Sequence, residues 1–223
     1  MPSPPSCHAD GSAPDAAAAA TTTASCSGGS LAPRILYAPT PSGPWTPLDG
    51  GAPILSGTAG AWDDSITNVS PWFTPNGSVL LAFRGKDAVR HELLGVAAAP
   101  SWKGPYAKSI PGPILAAVPG EDPTPFVDAR GNAHILFHDF SSVNGGHAFA
   151  TAWAGPWSYT AEPAYNRSVP LVDGSVLQLA RRERPLIYFD PATGAPRVLY
   201  TGVITAADAA SSASFTMAAE IRG

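Results

Sequence analysis

Asp122, directly before Pro123, and Glu183, two residues before Pro185, are the acidic residues whose placement could carry chemistry. Each lies close to an apolar run that reads as a buried strand, so an inner strand would deliver each carboxyl group. Two carboxyl groups across a sugar-sized cleft can supply a general acid and an ionised partner. The structural alternative is turn chemistry, since Asp and Glu near strand starts are ordinarily solvated. Glu183 lies between Arg182 and Arg184. In a regular extended strand both arginines would point away from the Glu183 face, so adjacency alone predicts no ion pair.

Other polar residues belong to the same candidate site. Arg84 closes an apolar strand in Phe83-Arg84-Gly85-Lys86, and a lone cation there calls for a carboxylate or a ligand. His138, and His147 in Gly145-Gly146-His147, could hydrogen-bond a sugar hydroxyl, or could be satisfied histidines in polar pockets. Asn68, in Thr67-Asn68-Val69-Ser70-Pro71-Trp72, occupies the corresponding motif one repeat earlier. Trp62 and Trp72 could form a stacking platform for a sugar ring or could be core. His134, Leu136 and His138 share one face of a strand, but i and i+4 on a strand lie too far apart for easy joint ligation, and no metal site is expected. No nucleophile elbow, phosphate loop, zinc spacing or dinucleotide fingerprint is present, and no cofactor is expected.

The elements that would position these residues follow from a repeat. Gly43-Pro44-Trp45, Gly104-Pro105-Tyr106 and Gly155-Pro156-Trp157 each precede a polar motif and a buried strand: Asn68 and Val79 to Phe83, Asp122 and Ala133 to His138, Glu183 and Leu186 to Phe189. A period near fifty residues made of short strands marks a β-propeller, one blade per repeat. Ile35 to Ala38, Leu94 to Ala99 and His147 to Thr151 read as the same strand of successive blades, each ending at a Gly-Pro turn. The stretches 128–132 and 190–194 read as hairpin turns. Val79 to Phe83 and Leu186 to Phe189 are continuously apolar, which predicts burial on both faces. The fold class is all-β: a β-propeller of the five-bladed type, incomplete, with room for about four blades.

Composition agrees with strands and turns. The chain has 223 residues, 22 Gly, 25 Pro and only 13% charged residues. A net charge of -4 without a basic cluster predicts neither nucleic acid nor a membrane as partner. Cys7 and Cys26 both lie in the N-terminal stretch, so no disulfide framework is expected in the core. Residues 1–30 are low in complexity, lack the pattern of a secretory signal, and are expected to be a disordered tail, with the propeller domain at 31–223. Secretion is left open by three glycosylation sequons, and a monomer is expected.

With these residues in hand, the chain resembles the five-bladed propeller superfamily of glycoside hydrolase family 43 and the related invertases and levansucrases. The likeness is carried by Asn68-Val69-Ser70-Pro71, Arg84-Gly85, Glu121-Asp122-Pro123, His138, Gly146-His147 and Glu183-Arg184-Pro185, with the three Gly-Pro-aromatic turns, over roughly residues 34 to 220. The resemblance implies a carbohydrate partner, an oligo- or polysaccharide. It implies Glu183 as general acid and Asp122 as the pKa-modulating, substrate-orienting acid, with Asn68, Arg84, His138, His147 and Trp62 on the substrate side. It also implies a first-blade Asp as base or nucleophile. Asn68 belongs by spacing to the second blade, and Asp10 and Asp15 do not fit that role. Three readings stand: a glycosidase whose base is another residue such as Asp63 or Asp64, a carbohydrate-binding propeller without catalysis, and a propeller that serves structure or protein interaction.

Overall fold

The computed structural model describes residues 31–89, 91–209 and 213–221; the expected tail at 1–30 lies outside the described residues. The described residues are strands and turns, with one 3-10 turn at Leu48–Gly51 and no α-helix among them. A two-stranded sheet, β1 (Leu36–Tyr37) with β2 (Thr46–Pro47), comes first. Three four-stranded antiparallel sheets follow. The first is β3 (Ser65–Phe73), β4 (Val79–Lys86), β5 (Glu92–Ala99) and β6 (Ala107–Lys108). The second is β7 (Gly120–Val127), β8 (Ala133–Asp139), β9 (Asn144–Ala150) and β10 (Ser158–Tyr165). The third is β11 (Ser168–Pro170), β12 (Val176–Phe189), β13 (Pro196–Thr205) and β14 (Phe215–Glu220). These three sheets are the first, second and third four-stranded blades of an incomplete propeller, as the repeat predicts.

The Gly-Pro-aromatic turns join equivalent strands, β1 to β2, β5 to β6 and β9 to β10. Gly43, Gly104 and Gly155 sit at φ 88, 91 and 83, a backbone that an L side chain rarely adopts. The two-stranded sheet is thus the outer half of a blade. Counterparts of β3 and β4 for that sheet are not among the described residues.

The core lies between the first and second blades. Ala82, Leu94 and Val96 of one pack against Ile135, Phe137 and Ala148 of the other, with Ile114. A second cluster, Leu55, Ile66, Leu81, Phe83 and Ala97, covers the far face of the first blade. β4 is accordingly buried on both faces from Val79 to Phe83, apart from the half-buried Leu80. The corresponding expectation for Leu186 to Phe189 fails. Leu186 and Tyr188 are 57% and 51% exposed, because no sheet among the described residues packs on that face of β12.

Aromatic rings of the second strand are roofed by glycine on the third. Phe83 faces Gly95 across β4 and β5, and Phe137 faces Gly146 across β8 and β9. A Cβ on Gly146 would stand 2.3 Å from the Phe137 ring, and Phe137 is fully buried with nowhere to move. Gly146→Ala is expected to destabilise the protein by about 1–3 kcal/mol through overpacking. Urea unfolding should show a lower midpoint at an unchanged slope; an unchanged midpoint would show that the core yields there.

Candidate functional site

Each inner strand carries a bulge at the same place. Register between β3 and β4 shifts between Thr67 and Ser70, between β7 and β8 from Glu121 to Thr124, and between β12 and β13 from Glu183 to Leu186. The middle of each bulge holds a non-glycine residue in the left-handed region: Asn68 at φ 49, Asp122 at φ 53 and Arg184 at φ 56. Such conformations persist only where neighbours impose them, and here they aim side chains of adjacent strand positions toward a common region.

This corrects the motif alignment. Asp122 is equivalent to Asn68 and Arg184, whereas Glu183 is equivalent to Glu121 and Thr67. The shared pattern is Glu-x-Pro, in Glu121-Asp122-Pro123 and Glu183-Arg184-Pro185. It also corrects the expectation for the arginines. Arg182 does turn to the opposite face, where its guanidinium lies 5.0 Å over the Tyr165 ring and donates to Asn166 O at 2.9 Å. Arg184, released from the pleat by its bulge, comes within 3.7 Å of Glu183 Oε2 and 3.9 Å of Asp122 Oδ2.

The bulge residues form one row: Asn68 Nδ2 donates to Asp122 Oδ1, and Arg184 approaches the other Asp122 oxygen. That second oxygen is buried and accepts no hydrogen bond among the described residues. Burial raises the Asp122 carboxyl above its ordinary value, and the charges of Glu121 and Glu183 add to the rise against the Asn68 and Arg184 contributions.

The second row carries the cavity. Glu121, His138 and Glu183 bring one carboxylate oxygen or ring nitrogen each within 4.8 Å of one another. They line a cavity of about 260 Å³ with Phe140, Val143 and Arg181, just below the size of ligand pockets, which run roughly 300–1,000 Å³. Arg84 reaches across from β4 to donate to Glu121, and it also donates to Thr67 Oγ1 at 3.0 Å and Glu92 Oε2 at 3.1 Å. His138 Nδ1, buried and without a hydrogen bond, stands 3.7 Å from Glu121 Oε1. The His138 ring, and then the Arg84 and Arg184 charges, hold Glu121 below the usual carboxylate range although burial opposes this. Glu183 has Arg181 Nε at 3.4 Å from Oε1, but Arg181 and Arg184 are 65% and 70% exposed, so solvent screens both. The three donor groups have the chemistry of a cation site, yet three guanidinium groups already neutralise its two carboxylates, which disfavours a dication.

The cavity rim is held by Asp139. It accepts from Ser141 N, Ser142 Oγ and Tyr159 OH, each at 2.8 Å. Burial raises the Asp139 carboxyl, but these hydrogen bonds outweigh it and leave the group below its ordinary value. The turn so fixed presents Phe140 and Val143 to the cavity, with Val143 at φ 55, an unusual backbone for a β-branched residue.

Of the residues singled out in the sequence, Glu183 and His138 line the cavity, and Asp122, Asn68 and Arg84 adjoin it through the contacts above. Trp62, His147 and Asp63 lie elsewhere. Trp62 stacks on Phe83 at 5.8 Å, donates to Pro111 O at 3.3 Å and belongs to the core of the first blade. His147 pairs with His134, Nε2 to Nδ1 at 3.0 Å, and His134 Nε2 is 3.5 Å from Asp128 Oδ2. That chain starts four residues from His138 along β8, about 13 Å away. Asp63, 1% exposed, is ion-paired with Lys108 on the face of β4 opposite Arg84, and is no base for this cavity. Glu121, Arg181, Arg184, Phe140 and Val143 were not singled out. Aligning the two Glu-x-Pro motifs on proline would have found Glu121.

Solved structures share the fold. A thermostable family-43 glycoside hydrolase superposes with a TM-score of 0.61 at 14% identity, over 87% of this chain and 64% of that one. The endo-arabinase from Bacteroides thetaiotaomicron VPI-5482 gives 0.54 at 14% identity, over 79% of this chain and 62% of that one. The GH43_1 enzyme from Xanthomonas citri complexed with xylose gives 0.52 at 17% identity, over 76% and 56%. The chain therefore has a family-43-like propeller fold and spans less than two thirds of the length of these structures. No protein-family model matches the chain, and no curated protein matches it in sequence.

Burial first, then the His134 charge, lowers the His147 pKa from its ordinary 6.5. The folded chain then binds fewer protons than the unfolded chain below about pH 6.5, so this contribution to stability is full above that pH and lost as pH falls. The melting temperature is expected to drop on acidification from pH 7.5 to 5.5, and to drop less in His147→Gln. Equal drops in both proteins would contradict the assignment.

Proposed function

We propose that the protein hydrolyses O-glycosyl bonds, with Glu183 as general acid and Asp122 as the acid that orients substrate and modulates Glu183. The observation that carries the reading is the cavity lined by Glu183 beside a second carboxylate, at converging inner strands of a family-43-like propeller. Glu183 faces the cavity where a glycosidic oxygen would take its proton. Asp122 acts from behind it: buried, raised in pKa and joined to Glu183 through Arg184, it biases which carboxyl group carries the proton. Asn68 fixes the Asp122 rotamer. The endo-arabinase and the xylose complex among the similar folds make arabinan and xylosides the first substrates to try.

A second reading is a carbohydrate-binding propeller without turnover. It is favoured by the engagement of Asp63 with Lys108, away from the cavity. A panel of arabinan, xylan and 4-nitrophenyl glycosides, assayed for both binding and release, separates the two. Release is expected from at least one member, falling by roughly 10²–10⁴-fold in Glu183→Gln while binding is kept. Full hydrolysis by Glu183→Gln would remove it as the acid, and binding without release by the wild type would select the second reading.

A further inference from the structure

We infer that the cleft between the second and third blades is a binding site for an organic carboxylate with an aliphatic body, held by Arg182. The site lies on the face of β12 opposite Glu183 and goes beyond the hydrolase reading, on which it does not depend. Its basis is a buried cation without a counter-ion, set in the wall of a large cavity. The cavity measures about 880 Å³, within the roughly 300–1,000 Å³ of ligand pockets. Its walls come from the end of β10, the crossover at 166–172, β12, and the outer strands β13 and β14. Leu199 of β13 packs with Leu136 and Tyr165 of the second blade, which places this cavity between the two blades.

Arg182 lines this cavity and is 6% exposed. Its Nε donates to Thr201 Oγ1 at 3.2 Å, its Nη1 donates to Asn166 O at 2.9 Å, and the guanidinium lies 5.0 Å over the Tyr165 ring. All three partners are neutral. No carboxylate oxygen of the described residues lies within 4.0 Å of Arg182, and Nη2 has no acceptor among them. Arg84, also largely buried, instead meets Glu92 and Glu121. A cation taken out of water is costly unless an anion answers it, and burial lowers the Arg182 pKa accordingly. A carboxylate offers two oxygens to the planar fork of a guanidinium, in the geometry that suits it best.

The rest of the lining selects the body of the ligand. Ala219 is the ladder partner of Leu199 and shares its face of the sheet, and Ile221 packs against the same cluster. Val169, Leu171 and Val172 line the cavity from the crossover, and Leu171 and Val172 are 43% and 104% exposed. The aromatic ring in the lining is Tyr165, which is 5% exposed beneath Arg182 and offers no platform to a sugar. Glu220 is the carboxylate of the lining. It is exposed, so water screens its repulsion of an incoming anion. A single buried cation in an aliphatic cleft fits a chain that carries its charge at one end.

The test is calorimetric titration of the full chain with octanoate, acetate and octan-1-ol. Octanoate should bind at one site, with acetate and octan-1-ol each weaker by roughly tenfold or more. The Arg182 Nε–H signal in nitrogen-15 spectra should shift with octanoate at the same midpoint. Arg182→Met should weaken octanoate by roughly 10–100-fold and leave octan-1-ol unchanged. Arg182 also ties the crossover to β13, so a second variant guards against a failure to fold. Ala219→Phe fills the cleft, leaves Arg182 in place, and should stay folded while losing octanoate. An Arg182 that serves structure alone gives no octanoate binding, or binding that Ala219→Phe leaves intact, and either result overturns the site. Octan-1-ol binding as tightly as octanoate overturns the carboxylate, and acetate binding as tightly overturns the aliphatic body. Release from the glycoside panel tests the hydrolase reading separately, and none of these outcomes bears on it.

Discussion

The constraint on which the site depends is the left-handed residue in the middle of each inner strand. A strand that keeps its pleat sends neighbouring side chains to opposite faces, and Glu121 and Asp122 would then serve different sheets. The bulges at Asn68, Asp122 and Arg184 insert one residue against the partner strand and turn the backbone. Two consecutive positions of each inner strand are thereby spent on the same region. One position of each triplet makes the row Asn68–Asp122–Arg184, and the other places Glu121 and Glu183 on the cavity. A non-glycine residue in this conformation costs about 1–3 kcal/mol and persists because polar contacts over-determine it. Asn68 bonding to Asp122, and Arg184 reaching both Asp122 and Glu183, are such contacts.

Concentrating three carboxyl groups in this region carries an electrostatic cost, and the structure offsets it with cations from different depths. Arg84 is largely buried and acts on Glu121, while Arg181 and Arg184 act on Glu183 and Asp122 from solvent. The depth of each cation, rather than its number, separates the groups: a buried guanidinium holds an anion firmly, and an exposed one is weakened by water and salt. Asp122, buried with no cation at hydrogen-bonding distance, is the member whose charge is dearest to keep. Differences of environment among like groups are what allow one carboxyl to act as acid while its neighbour stays ionised.

Much of the fold was legible because it is written in local chemistry repeated at a fixed period. Gly-Pro-aromatic turns need a left-handed glycine and end a strand, so their recurrence marks β1, β5 and β9 as equivalents. A continuous apolar run located β4, and the repeat located β8. Exposure of Leu186 and Tyr188 was not legible, because apolar character says what a strand tolerates and not what packs on it. At the site, Asp122, Glu183, Arg84, His138 and Asn68 were found by type and motif. Arg184 was misjudged because strand alternation holds only where the pleat is regular, and a bulge at a non-glycine residue leaves no mark in composition. Trp62 and His147 show the opposite limit. An aromatic ring and an imidazole suit a sugar pocket, yet Trp62 fills the space above Gly85 and Gly95, and His147 is spent on His134.

The cavity is assembled from neighbours. Glu121 and His138 come from the second blade, Phe140 and Val143 from the turn after β8, and Arg181 and Glu183 from the third blade, while the first blade contributes Arg84 from behind. Relative positions are thus set by contacts between adjacent sheets and by register within them, and not by closure across a ring. Glu121 faces His138 in the ladder, and Glu183 faces Gly202. Fold likeness at 14–17% identity speaks only for the stacking of these sheets. What makes the stack chemical is that equivalent bulges on adjacent blades carry the same residue type, so a structural repeat becomes a pair of facing carboxylates.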